Sequence, residues 1–297
     1  PGQLVTVCIK AVNRHVIFLG KQQFQIGVAY LNTPGNEKEM LQCDGVTEKV
    51  QQTMAEFSPK HCGIAQIDIE KVFLQDYLGL IGTQKNFRGS CQLAVLPEPV
   101  LSTRVRTGME KQQEYRYSAV ADDDSDILDL RAFRPGDNLN HIHWNLSLRT
   151  DDLIVRQYGE QIDVKKVILV DLSILNTAQY RSRMDAVYTA VASIANLYVE
   201  NEVNTLILAW NGQKQSAEYL EVHDRTELNR AMIRLMQIPC SSRAGEHAAA
   251  VYLKDIEAQG QQALFVTAGS YENNKVRIVN VEKIQLQELI DELWEKI

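Results

Sequence analysis

Val167-Ile168-Leu169-Val170-Asp171-Leu172-Ser173 is the stretch that decides the fold of the carboxyl-terminal half. Four consecutive aliphatic residues with no polar alternation suit a strand buried on both faces, and the aspartate that follows marks the carboxyl end of a parallel strand. Helical spacing comes next, in Met184, Val187, Val191, Ile194, Ala195 and Tyr198. Further out, Thr205 to Trp210 reads as a second buried strand and Ala217 to Val222 as a short antiparallel one, with later strands at Ala263 to Val266 and Lys275 to Val281. Glu227 to Met236, Glu246 to Glu257 and Leu286 to Trp294 read as helices. Strands alternating with helices over short connections predict a doubly wound, Rossmann-type α/β domain with a mostly parallel sheet and helices on both faces.

Upstream the period is that of strands. Leu4 to Ile9, Val16 to Leu19 and Gln23 to Leu31 are short β-branched or aromatic runs, with a turn cluster at Asn32-Thr33-Pro34-Gly35-Asn36. Ile64 to Leu74 alternates until Asp76-Tyr77-Leu78-Gly79-Leu80 breaks the pattern, and Cys91 to Leu96 is closed by Pro97-Glu98-Pro99. Five to seven strands without a strong helix predict an immunoglobulin-like β-sandwich over residues 1–99. Residues 100–125 read as a polar linker ending in Asp122-Asp123-Asp124-Ser125-Asp126, whose consecutive carboxylates point in different directions and suit solvent better than a cation. Residues 126–297 then hold a strand pair and the α/β domain.

Composition narrows the function. The 297-residue chain is 45% hydrophobic, enough for two cores, and its formal net charge of −7 argues against a basic face that neutralises nucleic-acid phosphates. Cys8, Cys43, Cys62, Cys91 and Cys240 are widely spaced, without a C-x-x-C pair, and read as reduced thiols. No apolar run reaches the ~18 residues that would span a bilayer, and the start shows no signal peptide. Strand-like sequence begins almost at once after Pro1-Gly2, so an upstream segment is expected.

In doubly wound sheets ligands gather at the carboxyl ends of the strands, which directs attention to the loops after Val170, Trp210 and Val266. Asp171 and Ser173 offer the carboxylate and hydroxyl that a hard cation such as Mg²⁺ takes. Here the chain resembles the von Willebrand factor A fold, whose metal-ion-dependent adhesion site begins Asp-x-Ser-x-Ser. The second serine is Leu175, the later aspartate is Ala268, and no threonine stands in Ser241-Ser242-Arg243-Ala244-Gly245. The metal motif is degenerate, and the expectation is a chain without a cofactor in which Asp171 and Ser173 cap the next helix or bind nearby backbone N–H groups.

The most informative stretch precedes that domain. Leu128, Leu130 and Ala132 face one side of a strand, with Asp129, Arg131 and Phe133 on the other. Arg134-Pro135-Gly136-Asp137 has the Pro-Gly centre of a type II turn, and Leu153 to Tyr158 alternates again, carrying Arg156. Leu130, Arg131, Phe133, Gly136, Asp137, Ile142, His143, Trp144, Ser147, Arg149, Leu153, Val155 and Arg156 together resemble the signature of a bacterial family, domain of unknown function 58. The resemblance extends to His61-Cys62-Gly63 and Asp76-Tyr77-Leu78-Gly79-Leu80, and departs at Asn140, His141, Asn145 and Leu148.

That resemblance implies a membrane-tethered protein whose soluble part lies on the cytoplasmic face, working with a MoxR-type AAA+ ATPase. The expectation is therefore a non-catalytic interaction or scaffold protein. Arg131, Asp137, His143, Trp144, Arg149 and Arg156 either form a docking surface or pair internally with Trp144 packed beneath them. The alternative is a divalent-metal-dependent enzyme or adhesion-type binder using Asp171 and Ser173. His141 and His143, placed on one strand face with Asp137 nearby, lack a further ligand for a tetrahedral site. No Gly-x-Ser-x-Gly elbow or glycine-rich phosphate loop is present, and no catalytic residue is assigned.

Overall fold

A computed structural model describes residues 1–12, 19–31, 38–46, 50–103, 115–117, 126–135, 137–150, 152–161, 165–173, 179–255, 263–269, 271 and 276–296. The chain divides into two compact units, one formed by Pro1–Arg104 with Lys165–Ile297 and the other by Val105–Val164. The first unit thus joins two segments that the sequence reading kept apart.

In the first unit, strands β1 (Val5–Val12) and β4 (Val50–Phe57) form an antiparallel pair. Strands β2 (Leu19–Tyr30), β3 (Glu39–Val46), β5 (Gly63–Asp76) and β6 (Gly82–Val95) form a second antiparallel sheet in the order β3-β2-β5-β6. Phe24, Ile26, Val28, Ala55, Phe57, Ala65 and Ile67 close a core between the two. Gln25 and Ile26 flank a register shift in the β2–β5 ladder, which lets long strands bend around that core. The expected strand at Val16 to Leu19 and the turn at Asn32 to Asn36 lie almost wholly outside the described residues.

The α/β part runs β10 (Lys166–Val170), α2 (Tyr180–Glu200), β11 (Thr205–Asn211), β12 (Ser216–Val222), α3 (Arg225–Gln237), α4 (Ala244–Asp255), β13 (Ala263–Thr267), β14 (Arg277–Asn280) and α5 (Leu286–Trp294). Its sheet order is β12-β11-β10-β13-β14, all parallel except the antiparallel edge strand β12. Alternate residues of the central strands serve opposite layers, as the period of a strand requires. Ile168, Val170, Ile207 and Val266 meet α2, α3 and α5, while Val167, Leu169, Leu208 and Phe265 meet Ala248 and Tyr252 of α4. Asp224 caps α3 by accepting from Glu227 N at 2.7 Å, and the Glu227 carboxylate accepts in return from His223 N at 3.0 Å.

The start of β5 is what fuses the β-strands to the α/β part. Ala65 and Ile67 point into the strand core, whereas Cys62 and Ile64 belong to the cluster built on α2 and α3. Asp185 of α2 reinforces the contact, accepting from Cys62 N and from His61 Nδ1, each at 2.7 Å. A carboxylate can only accept, so the imidazole nitrogen facing it carries the proton. Val100 N donates to Ser193 Oγ at 2.8 Å, and Ser102 Oγ, Thr103 N and Thr103 Oγ1 all donate to Asp291. The first residues of the expected 100–125 linker are therefore bound to α2 and α5, and its acidic run lies outside the described residues up to Asp126.

The second unit is a three-stranded antiparallel sheet, β7 (Tyr115–Tyr117), β9 (Ile154–Gln161) and β8 (Asp126–Ala132), in the order β7-β9-β8. A single 3₁₀ turn at Leu139–His141 and a short helix α1 (Trp144–Thr150) lie between β8 and β9. β7 falls inside the stretch 100–125 that reads as a polar linker.

Candidate functional site

In the second unit two of the polar residues expected to carry recognition, Arg131 and Asp137, are bound to each other. Arg131 grips Asp137 through two parallel bonds, Nη1 to Oδ2 and Nη2 to Oδ1, both 2.7 Å. Asp137 Oδ2 also accepts from Arg134 N at 2.7 Å, and Asp137 N donates to Arg134 O at 3.0 Å, which closes the expected four-residue turn. Gly136 lies outside the described residues, so the turn type is not assigned. A bidentate guanidinium–carboxylate pair fixes geometry as well as charge.

The Arg131 guanidinium, followed by the Arg134 backbone N–H, holds the Asp137 carboxyl down at about 2. A depressed folded-state value means that the ion pair supports the unit above the ordinary carboxylate range and is lost as pH falls through the folded value. Carbon-13 NMR of the Asp137 carboxyl is expected to give a titration midpoint near 2. A midpoint in the ordinary range would contradict the pairing.

His143 is also engaged. Its Nδ1 accepts from Leu146 N at 3.2 Å, which places the proton of the neutral ring on Nε2. Ser147, buried, donates from Oγ to His143 O at 3.0 Å and accepts from Ile154 N at 2.9 Å, so one hydroxyl ties α1 to β9. Ile142 bridges to Val155, and both are buried. His141 lies in the 3₁₀ turn and His143 immediately before α1, which corrects the reading that places them on one strand face. Asp137 is committed to Arg131, and among the described residues no group of three or more His, Cys, Asp or Glu is placed to hold a metal.

Trp144 decides between the two alternatives. Instead of packing beneath the network it is 57% exposed, and Leu148, four residues on and therefore on the same helical face, is 78% exposed. Arg149 is exposed beside them. Arg156 is half-buried on β9 opposite Leu130, and its Nε is buried without a hydrogen-bond acceptor among the described residues.

In the first unit, Asp171 and Ser173 sit at the carboxyl end of β10. Asp171 Oδ1 accepts from Ser173 N at 3.0 Å and Oδ2 accepts from Thr267 Oγ1 at 2.6 Å. Thr267 Oγ1 accepts from Gly269 N at 2.9 Å, and Ser173 Oγ accepts from Gly245 N at 3.1 Å. Ser173 also bridges to Ser241 in parallel fashion. The pair thus binds backbone N–H groups, as expected, but not as caps of α2, which begins at Tyr180. Leu175 lies outside the described residues.

The fit of a divalent cation can be judged from this wiring. Mg²⁺ needs near-octahedral oxygen ligands at ~2.1 Å, and this site offers one carboxylate whose two oxygens already accept hydrogen bonds. The α4 backbone presses against it as well, since a Cβ on Gly245 would lie 2.4 Å from Asp171 Oδ1. Ala268 supplies no second carboxylate. These residues do not fit a resident ion; they are bonded as a lock joining the loops after β10 and β13 to the start of α4. Sequence reasoning missed Thr267 and Gly245, whose only signal was their place beside strand and helix ends.

Residues 129–276 match the family model described as Protein of unknown function DUF58. No curated protein and no solved structure matches.

Proposed function

This chain belongs to the DUF58 family, and from that premise we propose that it is a non-catalytic interaction protein whose docking face is helix α1. The observation that carries the reading is the exposure of Trp144 and Leu148 on one helical face, beside polar groups already bound internally. An exposed tryptophan with an adjacent leucine and an arginine at the rim is the composition of an interface centre. The internal network holds that face in place, so little ordering cost attends binding.

On this reading the β1–β6 part serves as an immunoglobulin-like sandwich and the α/β part as a von Willebrand factor A-like domain, both acting as scaffold. Two antiparallel sheets around one core and a five-stranded, mostly parallel sheet with helices on both faces support those assignments. The partner implied by the resemblance is a MoxR-type AAA+ ATPase, with this part of the chain on the cytoplasmic side of a membrane tether. The carboxyl-end loops then work without an ion. An adhesion-type metal site at Asp171 and Ser173 has less support, because the carboxylate is already spent on Ser173 N and Thr267.

The test is affinity for the MoxR-type ATPase of the native host. Trp144→Ala with Leu148→Ala is expected to weaken binding at least about tenfold, while folding stability stays within about 0.5 kcal/mol because both side chains face solvent. Unchanged affinity in the double variant would remove α1 as the docking face.

A further inference from the structure

The β5–β6 hairpin ends in a second exposed apolar feature, independent of α1. From Gly82 to Phe87 every residue of the edge strand β6 is exposed, while β5 stays paired to β2 as far as Asp76, so only the turn beyond Asp76 stands clear of the sheet. At its tip Tyr77, Leu78, Leu80 and Ile81 are 82%, 74%, 79% and 73% exposed. Four large apolar side chains this open on one turn are unusual for a surface that faces only water.

The turn that presents them is braced by Asp76. Asp76 N donates to Ile81 O at 3.0 Å, Ile81 N donates to Asp76 Oδ1 at 2.9 Å, and Gly79 N donates to Asp76 O at 3.0 Å. Gly79 adopts φ +70°, a conformation that glycine reaches without strain. The Asp76 carboxylate is thereby turned back onto the backbone, which fixes the shape of the tip.

Charge is distributed along the hairpin in layers. No residue from Tyr77 to Gln84 is charged. Thr83, Gln84 and Gln75 follow the apolar tip within the hairpin, Lys21 of β2 stands beside Gln75 and pairs with Asp44 at 3.1 Å, and the hairpin's own first cations are Lys85, opposite Val72, and Lys71, opposite Asn86. Adjacent register positions put these two lysines on opposite faces of the ribbon. At ~3.3 Å per residue, Lys85 stands ~13 Å back from Ile81. An apolar tip with its amphipathic tyrosine, backed first by polar residues with Lys21 among them and then by Lys85 and Lys71, matches the depth profile of a bilayer interface with anionic headgroups.

We propose that the Tyr77–Ile81 turn is a membrane-inserting wedge that seats the β5–β6 hairpin on an anionic lipid surface, with Lys71 and Lys85 meeting the phosphates. A convex tip with radiating side chains suits a fluid interface, which needs no matching pocket.

Co-sedimentation of the whole chain with vesicles tests this, using phosphatidylcholine alone and phosphatidylcholine mixed with phosphatidylglycerol. The wild-type chain is expected to sediment with the anionic vesicles. Leu80→Ser with Ile81→Ser should lower that partition about tenfold or more, and Lys71→Gln with Lys85→Gln should lower it several-fold on anionic vesicles only. In a Leu78→Trp variant, lipids brominated in their acyl chains should quench more emission than in the wild type. Thermal midpoints should be unchanged, since every substituted tip residue faces solvent. Absence of wild-type binding to anionic vesicles, or equal binding by the tip variant, would overturn the proposal. It would also fall if the tip substitutions abolished a protein complex and left vesicle binding intact, because the tip would then be a plug for a protein pocket.

Discussion

Asp171→Ala is expected to destabilise the first unit by about 3 kcal/mol, because it leaves two donors in a largely dry site without their acceptor. Ser173 N and the Thr267 hydroxyl both bond to this carboxylate, and Thr267 is fully buried. Thr267 Oγ1 already accepts from Gly269 N, so its own proton has nowhere equivalent to go. Asp171→Asn preserves shape and one acceptor and should cost about half as much. Urea denaturation measures both, and a loss under about 1 kcal/mol for the alanine variant would show that the lock carries little stability. The same experiment separates lock from metal site. A ligand present at ~100 times its Kd would add ~2.7 kcal/mol to the wild type, so millimolar Mg²⁺ should leave the wild-type midpoint where it is. A rise that disappears in Asp171→Ala would establish a resident cation and reverse the reading.

Asp185→Ala carries the second large effect, about 2–3 kcal/mol, since it removes the acceptor for both His61 Nδ1 and Cys62 N. Its physical consequence is local. The start of β5 is shared between the strand core and the α2–α3 cluster, so amide exchange should rise first around Cys62 to Ala65. His61→Ala should cost less, because the Cys62 N bond survives it. Combined with Asp185→Ala it should add less than its own value, a coupling of about 1 kcal/mol in a double-mutant cycle. Strict additivity would mean that the imidazole and carboxylate do not act together. Burial, helped by the Asp185 charge, pushes the Cys62 thiol up to about 12. A raised folded-state value supports the fold below the ordinary thiol range and loses that support as pH rises towards 12, so Asp185→Ala should also flatten part of the alkaline instability.

The α/β part was open to reading because its signals are local. Val167 to Val170 could only be a strand buried on both faces, and Leu286 to Trp294 has the periodicity of the helix it forms. The antiparallel strand at Ala217 to Val222 likewise appears as β12, paired to β11. β3 and β4 were harder to see. The inward row of β4 is Thr53, Ala55 and Phe57 while Met54 faces out, so burial there follows register and not hydrophobicity. Helix α1 gave no periodic signal either, because it is short and its large side chains, Trp144 and Leu148, face solvent.

The sequence by itself determined the element types of the carboxyl-terminal half, the family signature between residues 129 and 160, and the degeneracy of the metal motif. Each depends on residue identity or on spacing within a few positions. Tertiary structure alone decided which partners those residues take. Arg131 and Asp137 are six positions apart and find each other through a turn, but Asp185 reaches His61 across 124 positions and Thr267 reaches Asp171 across 96. No periodicity encodes such pairs, because they arise only when packing brings distant strand and helix ends together. Exposure is decided the same way: the sequence left Trp144 either on a docking surface or packed beneath a polar network, and it stands in solvent, since what covers a side chain is the rest of the chain.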